Sequence, residues 1–178
     1  MHVFWKLTFA TFALTFALSG CYASSPMLVT VRGETDPLEP AIQVDTRNYS
    51  KPYVISIGYQ DWFLRGYIDK KTKTRSYQLY VIFNSAKWMY WDHARFNSVS
   101  GLVEYAASRV GSNESCDKNG CEYYEDVIVD IKRQTLDEWS RTFAVVRFSS
   151  SRVGGYRDIA IDPEEVNAFL RNMDEYAR

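Results

Sequence analysis

Beyond residue 20 the chain carries one histidine, His93, directly after Asp92 in the aromatic run Trp88-Met89-Tyr90-Trp91-Asp92-His93. A carboxylate beside an imidazole could orient it as a general base. In a regular strand, however, neighbouring side chains point to opposite faces, so Asp92 and His93 are expected to diverge. No Gly-x-Ser-x-Gly elbow accompanies the pair, because Ser98-Val99-Ser100-Gly101 lacks the first glycine. His93 is therefore read as an interfacial residue at a strand end, and no catalytic residue is assigned. A second set, Glu122, Glu125, Asp126 and Asp130, could hold a cation or act as paired carboxylates. Glu122, Asp126 and Asp130 share one strand face opposite Val127, Val129 and Ile131, a pattern that serves solvation of that face. A glycosidase would need two carboxylates flanking a cleft.

Aromatics form the third set. Trp62, Trp88, Tyr90 and Trp91, with His93, are the candidate binding residues, since Tyr and Trp offer apolar area with one polar handle. The same residue types also build β cores. Asp117-Lys118-Asn119-Gly120 resembles the middle of an EF-hand loop, with Ser115 and Asp126 at its first and last ligand positions. Flanking helical patterns are missing and two cysteines bracket the turn, so neither a metal nor a cofactor is expected.

The elements that must position these residues read mainly as β. Strands are predicted over 53–57, 62–69, 75–84, 87–95, 122–132, 143–148 and 156–161, and 28–31 is left open between a short strand and tether. In the 75–84 strand, Tyr77, Leu79, Val81 and Phe83 share one face, and Ile82 with Tyr80 the other, which suits cover on both sides. The 102–110 stretch fits helical spacing through Leu102, Ala106 and Val110 and alternation through Val103, Tyr105 and Ala107. It is read as a strand, because the loop at 116–121 needs antiparallel arms. A short helix near 135–142 opens on Thr135, with Glu138 closing a capping box. A second runs over 163–177: Asp162 is its N-cap, Pro163 suits the first position, and Val166, Phe169, Leu170, Met173 and Tyr176 form one stripe. Strands without βα alternation plus a terminal helix predict an α+β fold with an antiparallel sheet in one domain, 41–178. Residues 21–40, rich in turn chemistry, read as a tether.

The first residues explain the tether. A basic start at Lys6 and an apolar run over 7–18 lead to Leu18-Ser19-Gly20-Cys21. A run of twelve residues, three of them Thr, is too short to span a bilayer, which takes about 20 apolar residues. The segment resembles a bacterial lipoprotein (type II) signal peptide. The resemblance implies lipidation of the Cys21 thiol, removal of residues 1–20, and a palmitate-type anchor in the membrane. In such lipoproteins Asp after the cysteine favours inner-membrane retention, so with Tyr22 there the resemblance implies the outer membrane, facing the periplasm. Several acyl chains on one cysteine anchor stably, since each buried CH₂ contributes about 0.8 kcal/mol. With Cys21 lipidated, Cys116 and Cys121 remain as an even pair in an oxidising compartment, and a structural disulfide is expected.

Loss of Lys6 with the signal shifts the formal charge from −1 to −2. A nucleic-acid partner would need a clustered basic excess, so none is expected. The aromatic content of 16% argues against disorder and for a packed β core. Together these features predict a membrane-anchored, non-enzymatic binding or envelope-associated module whose partner is an envelope protein or polymer. The competing expectations are a hydrolase of envelope material using His93 or Glu122 and Asp126, and an inhibitor of a periplasmic hydrolase presenting the cysteine-pinched loop.

Overall fold

In the computed structural model, residues 29–46 and 60–178 are described. The strand expected at 53–57 and the lipobox with Cys21 lie outside them. The described residues form β1 (Thr30–Arg32), β2 (Ala41–Asp45), β3 (Gln60–Asp69), β4 (Arg75–Ser85), β5 (His93–Ser98), β6 (Gly101–Ala106), β7 (Ser108–Asp117), β8 (Gly120–Asp130), α1 (Arg133–Trp139), β9 (Ala144–Ser149), β10 (Tyr156–Ile161) and α2 (Pro163–Tyr176). They make two antiparallel sheets, one of six strands in the order β1-β2-β3-β4-β8-β7 and one of four in the order β10-β9-β5-β6. Among the described residues the fold is mostly β, with two helices.

Alternation along β3, β4 and β8 sets the core face of the larger sheet. Leu64 pairs with Leu79, Leu79 with Val129, and Val81 with Val127, and all five are fully or nearly fully buried. The smaller sheet adds Ala94, Phe96, Val146, Phe148, Ile159 and Ile161 to the same cluster. Phe83 joins the two: its ring lies 4.7 Å from that of Trp91 and 5.2 Å from that of Phe148. The opposite face of β4 is covered only in part, since Ile82 is buried but Gln78 and Tyr80 are intermediate.

Helix α2 begins as its sequence requires. The Asp162 carboxylate accepts from the Glu164 amide at 2.8 Å, and Pro163 occupies the first turn. Its stripe of Val166, Phe169, Leu170 and Met173 is buried against β2, β3 and α1. Gly66 on β3 allows that close approach, because a Cβ there would lie 2.3 Å from Met173 Sδ and 3.0 Å from Phe169 Cζ. Both side chains are fully buried, so neither can swing into solvent. Gly66→Ala is expected to lower the unfolding free energy by about 1–3 kcal/mol in urea titration, the usual cost of overpacking.

Four sequence expectations change. The strand placed at 87–95 begins only at His93, because the preceding residues are bent into a loop. The 102–110 stretch is split at Ala107: β6 pairs with β5 in the smaller sheet, while β7 crosses to the larger one and pairs with β8. The cysteine-pinched hairpin therefore has arms β7 and β8. Helix α1 starts at Arg133, ahead of Thr135, and Lys132 gives it no side-chain cap. Thr135 is buried within the helix and its hydroxyl shares a 2.8 Å hydrogen bond with Tyr105 Oη, so it is not free to cap. Finally, part of the 21–40 stretch read as a tether belongs to the sheet: Val31 pairs with Val44 as β1 runs along β2.

The hairpin tip is as the cysteines and turn residues suggest. Cys116 faces Cys121 across the ladder with sulfurs 2.08 Å apart, and Asp117 faces Gly120. Gly120 has φ +135°, a conformation that side chains rarely adopt. The Asp117 carboxylate accepts from the Asn119 amide at 2.7 Å and shapes the turn.

Candidate functional site

The five aromatic and histidine candidates do not form one platform. Trp62 is partly buried on β3, facing the core. Trp91 is 2% exposed and belongs to the core cluster. Trp88 and Tyr90 lie half-buried in the loop before β5, where the Trp88 ring meets Tyr123 edge-on at 4.9 Å. His93 opens β5, with Nδ1 3.0 Å from Glu104 Oε1.

Asp92 and His93 do not diverge as strand geometry predicts. Asp92 precedes the first residue of β5, so alternation does not govern it, and its Oδ1 lies 3.7 Å from His93 Nε2. Both oxygens of Asp92 are also engaged by Ser151, one by the amide at 3.0 Å and one by the hydroxyl. Burial alone would push this carboxyl up, but the Ser151 hydrogen bonds and the nearby His93 hold it below its ordinary value. The Arg95 guanidinium, opposed by slight burial and aided by His93, keeps Glu104 low as well. The Ser151 hydroxyl thus reaches the carboxylate rather than the imidazole, so the arrangement is not a nucleophile–base pair of the serine–histidine kind.

The acidic residues of β8 are likewise placed apart. Tyr80 Oη donates to Asp126 at 2.8 Å, Gln78 to Asp130 at 2.9 Å, and Tyr124 Oη to Glu122 at 2.6 Å. Glu125 differs from all of them. It pairs with Phe83 in the register, so it shares the core-facing parity of Val127 and Val129, and it is fully buried. A carboxylate in that position must be matched by donors. It accepts from the Met89 amide at 2.7 Å and from the Tyr90 amide at 2.9 Å, and Arg109 Nη1 lies 3.8 Å away.

Those two bonds explain the bent loop. Tyr90 stands at φ +57°, a left-handed conformation that is unusual for a bulky residue. Arg109, beside the register shift in β7, sets its guanidinium 5.2 Å from the Tyr90 ring centroid and 5.7 Å from that of Trp88. Arg152, in the turn after β9, lies 5.4 Å from the same Tyr90 ring. The Asp92–Ser151 bonds tie that turn to the loop. The result is a depression of about 310 Å³ at the junction of the two sheets, lined by Tyr90, Trp91, Asp92, Ala107, Arg109 and Arg152. Trp91 adds a buried indole N–H that has no hydrogen-bond partner among the described residues.

Sequence reading found Tyr90 and Trp91 here but missed both arginines and the work of Glu125. The arginines come from β7 and from a Ser- and Gly-rich turn, remote from the aromatic run in sequence. For Glu125 a signal existed: an acid on the apolar parity of Val127 and Val129. Among the described residues, no group of three or more His, Cys, Asp or Glu side chains is placed to hold a metal ion. No helix among them is long and apolar enough to cross a membrane. Compared with known proteins, the chain matches no family model, no curated protein and no solved structure.

Proposed function

We propose that the protein is a lipid-anchored envelope module, held at the outer membrane through Cys21, that binds its ligand in the Tyr90–Arg109–Arg152 depression and performs no chemistry on it. We read residues 41–178, with β1 added, as one α+β domain on the periplasmic side. The lipobox Leu18-Ser19-Gly20-Cys21 supports the anchor. One observation carries the binding reading: a buried carboxylate, Glu125, holds Tyr90 in a left-handed conformation beside two guanidinium groups. Backbone strain of this kind costs on the order of 1–3 kcal/mol and gathers where ligands bind. A concave surface with an aromatic wall and a few converging polar groups is the usual form of such a site.

Two measurements test the reading. Intact mass and membrane fractionation of the native protein should show loss of residues 1–20 with added acyl chains, and Cys21→Ser should be unprocessed or released. An unlipidated soluble species with a free Cys21 would remove the anchor. For the site, the full chain in detergent is sedimented with delipidated envelope polymer. Tyr90→Gly suits the left-handed backbone, so strain relief offsets lost ring burial and the thermal midpoint stays nearly constant. Retention should fall at least tenfold in this variant. Equal retention of both forms would sink the assignment.

A further inference from the structure

Building on that binding reading, we propose that the depression receives an oxyanion, carboxylate or phosphate, of an envelope polymer between the guanidinium groups of Arg109 and Arg152. The two guanidinium groups sit 5.2 and 5.4 Å from the Tyr90 ring centroid, and both residues line the same depression of about 310 Å³. Stacking on Tyr90 orders the guanidinium groups before any ligand arrives, and ordering in advance lowers the cost of binding.

Arg109 is ion-paired with Glu125, but neither arginine donates a side-chain hydrogen bond among the described residues. Glu125 takes its two amide hydrogen bonds, and Arg109 stands 3.8 Å from it, well beyond the 2.7–2.9 Å of a charge-assisted bond. Asp92, on the wall, has both oxygens on Ser151 and lies 3.7 Å from His93. Arg152 has no ion pair and no side-chain hydrogen bond among the described residues; its one polar contact is its amide, 3.3 Å from Ser150 Oγ. Arg32, in the depression beside β1, is by contrast matched to the buried Asp45 at 2.6 Å.

A guanidinium presents its donors in a planar fork that fits carboxylate and phosphate oxygens two at a time. Trp91 and Ala107 supply an apolar lining, which strengthens such bonds relative to open water. An anion therefore seats on the arginine side, away from Asp92, with Tyr90 beneath it. The polymer chain that bears it would run outward over the exposed β7 and the turn after β9.

The test is a nuclear magnetic resonance titration of the isotope-labelled full chain in detergent, at constant ionic strength. Sodium acetate and methyl phosphate are the two probes. Saturable shifts of the Tyr90, Arg109 and Arg152 amides are expected, with affinity at least tenfold weaker in Arg152→Gln and unchanged in Arg171→Gln on the exposed face of α2. Saturation with acetate alone assigns a carboxylate source, and with methyl phosphate alone a phosphate source. Shifts that fail to saturate, or that survive in Arg152→Gln with its remaining spectrum unaltered, overturn the proposal. If neither probe saturates while Tyr90→Gly still loses polymer retention, the binding reading stands and the oxyanion falls. If Tyr90→Gly retains the polymer as well, both fall.

Discussion

Glu165→Gln should stabilise the protein by about 2–3 kcal/mol at pH 8 while leaving its stability at pH 5 nearly unchanged. Glu165 sits in the first turn of α2, where its Oε1 accepts the Thr46 hydroxyl at 2.5 Å. That hydroxyl oxygen in turn accepts the buried Leu64 amide at 2.9 Å. Burial pushes the Glu165 carboxyl from 4.5 up to about 7; the Thr46 hydrogen bond opposes the rise, and Asp162 and Asp61 add to it. The charged form is thus disfavoured in the folded protein and tolerated in the unfolded chain.

The sign of the pH effect follows from that difference. Between pH 4.5 and about 7 the folded state holds a proton on Glu165 that the unfolded state has released. Stability from this group is therefore complete below pH 4.5 and is lost as pH rises through about 7. At about 1.4 kcal/mol per pH unit the loss amounts to about 3 kcal/mol. Glutamine keeps an oxygen for Thr46 and carries no charge, so it removes the slope. Asp158, held low by Arg147, and Asp174, held low by Arg133, work in the opposite direction: their contribution fades only as pH falls below the ordinary aspartate range. The two windows do not overlap. Urea titrations from pH 5 to 8 read the slope directly, and a wild-type slope near zero or an equal slope in the variant would remove Glu165 as its source.

What could be read from the sequence was whatever local pattern controls. The cap and stripe of α2 depend on residues within a few positions of one another, and β10 places Ile159 and Ile161 at alternate, buried positions. The hairpin tip at Cys116 and Cys121 was legible because Asn119 and Gly120 carry turn chemistry of their own. The split at Ala107 was not, since β6 and β7 differ in which sheet they join rather than in their alternation. Thr135 looked like a cap because its partner, Tyr105, is 30 residues away. The same limit hid the depression. Tyr90 and Trp91 announced themselves as aromatics, but the register of β7 and the turn after β9, which deliver Arg109 and Arg152, are set by long-range pairing.

Glu125 is where the fold and the depression meet, and Glu125→Ala should cost about 3–5 kcal/mol of stability together with the shape of the site. Its carboxylate is the acceptor for the Met89 and Tyr90 amides and the nearest opposite charge to Arg109. Deleting it leaves two partly buried donors unmatched, at about 1–3 kcal/mol each, and opens a cavity beside Phe83. Tyr90 then has no reason to stay left-handed, and its ring should leave the two arginines. Glu125→Gln tests the two consequences separately. An amide has the same volume and retains one oxygen, so it satisfies one donor and places its own N–H₂ against the other. The expected cost is smaller, about 2 kcal/mol, but the loop should still loosen. Amide hydrogen exchange at Met89 and Tyr90 reports this directly: protection should drop in both variants while that of Val127 and Val129 falls only with global stability. Unchanged protection at Tyr90 in Glu125→Gln would mean that the left-handed turn is held by core packing of Trp91 and not by the buried carboxylate.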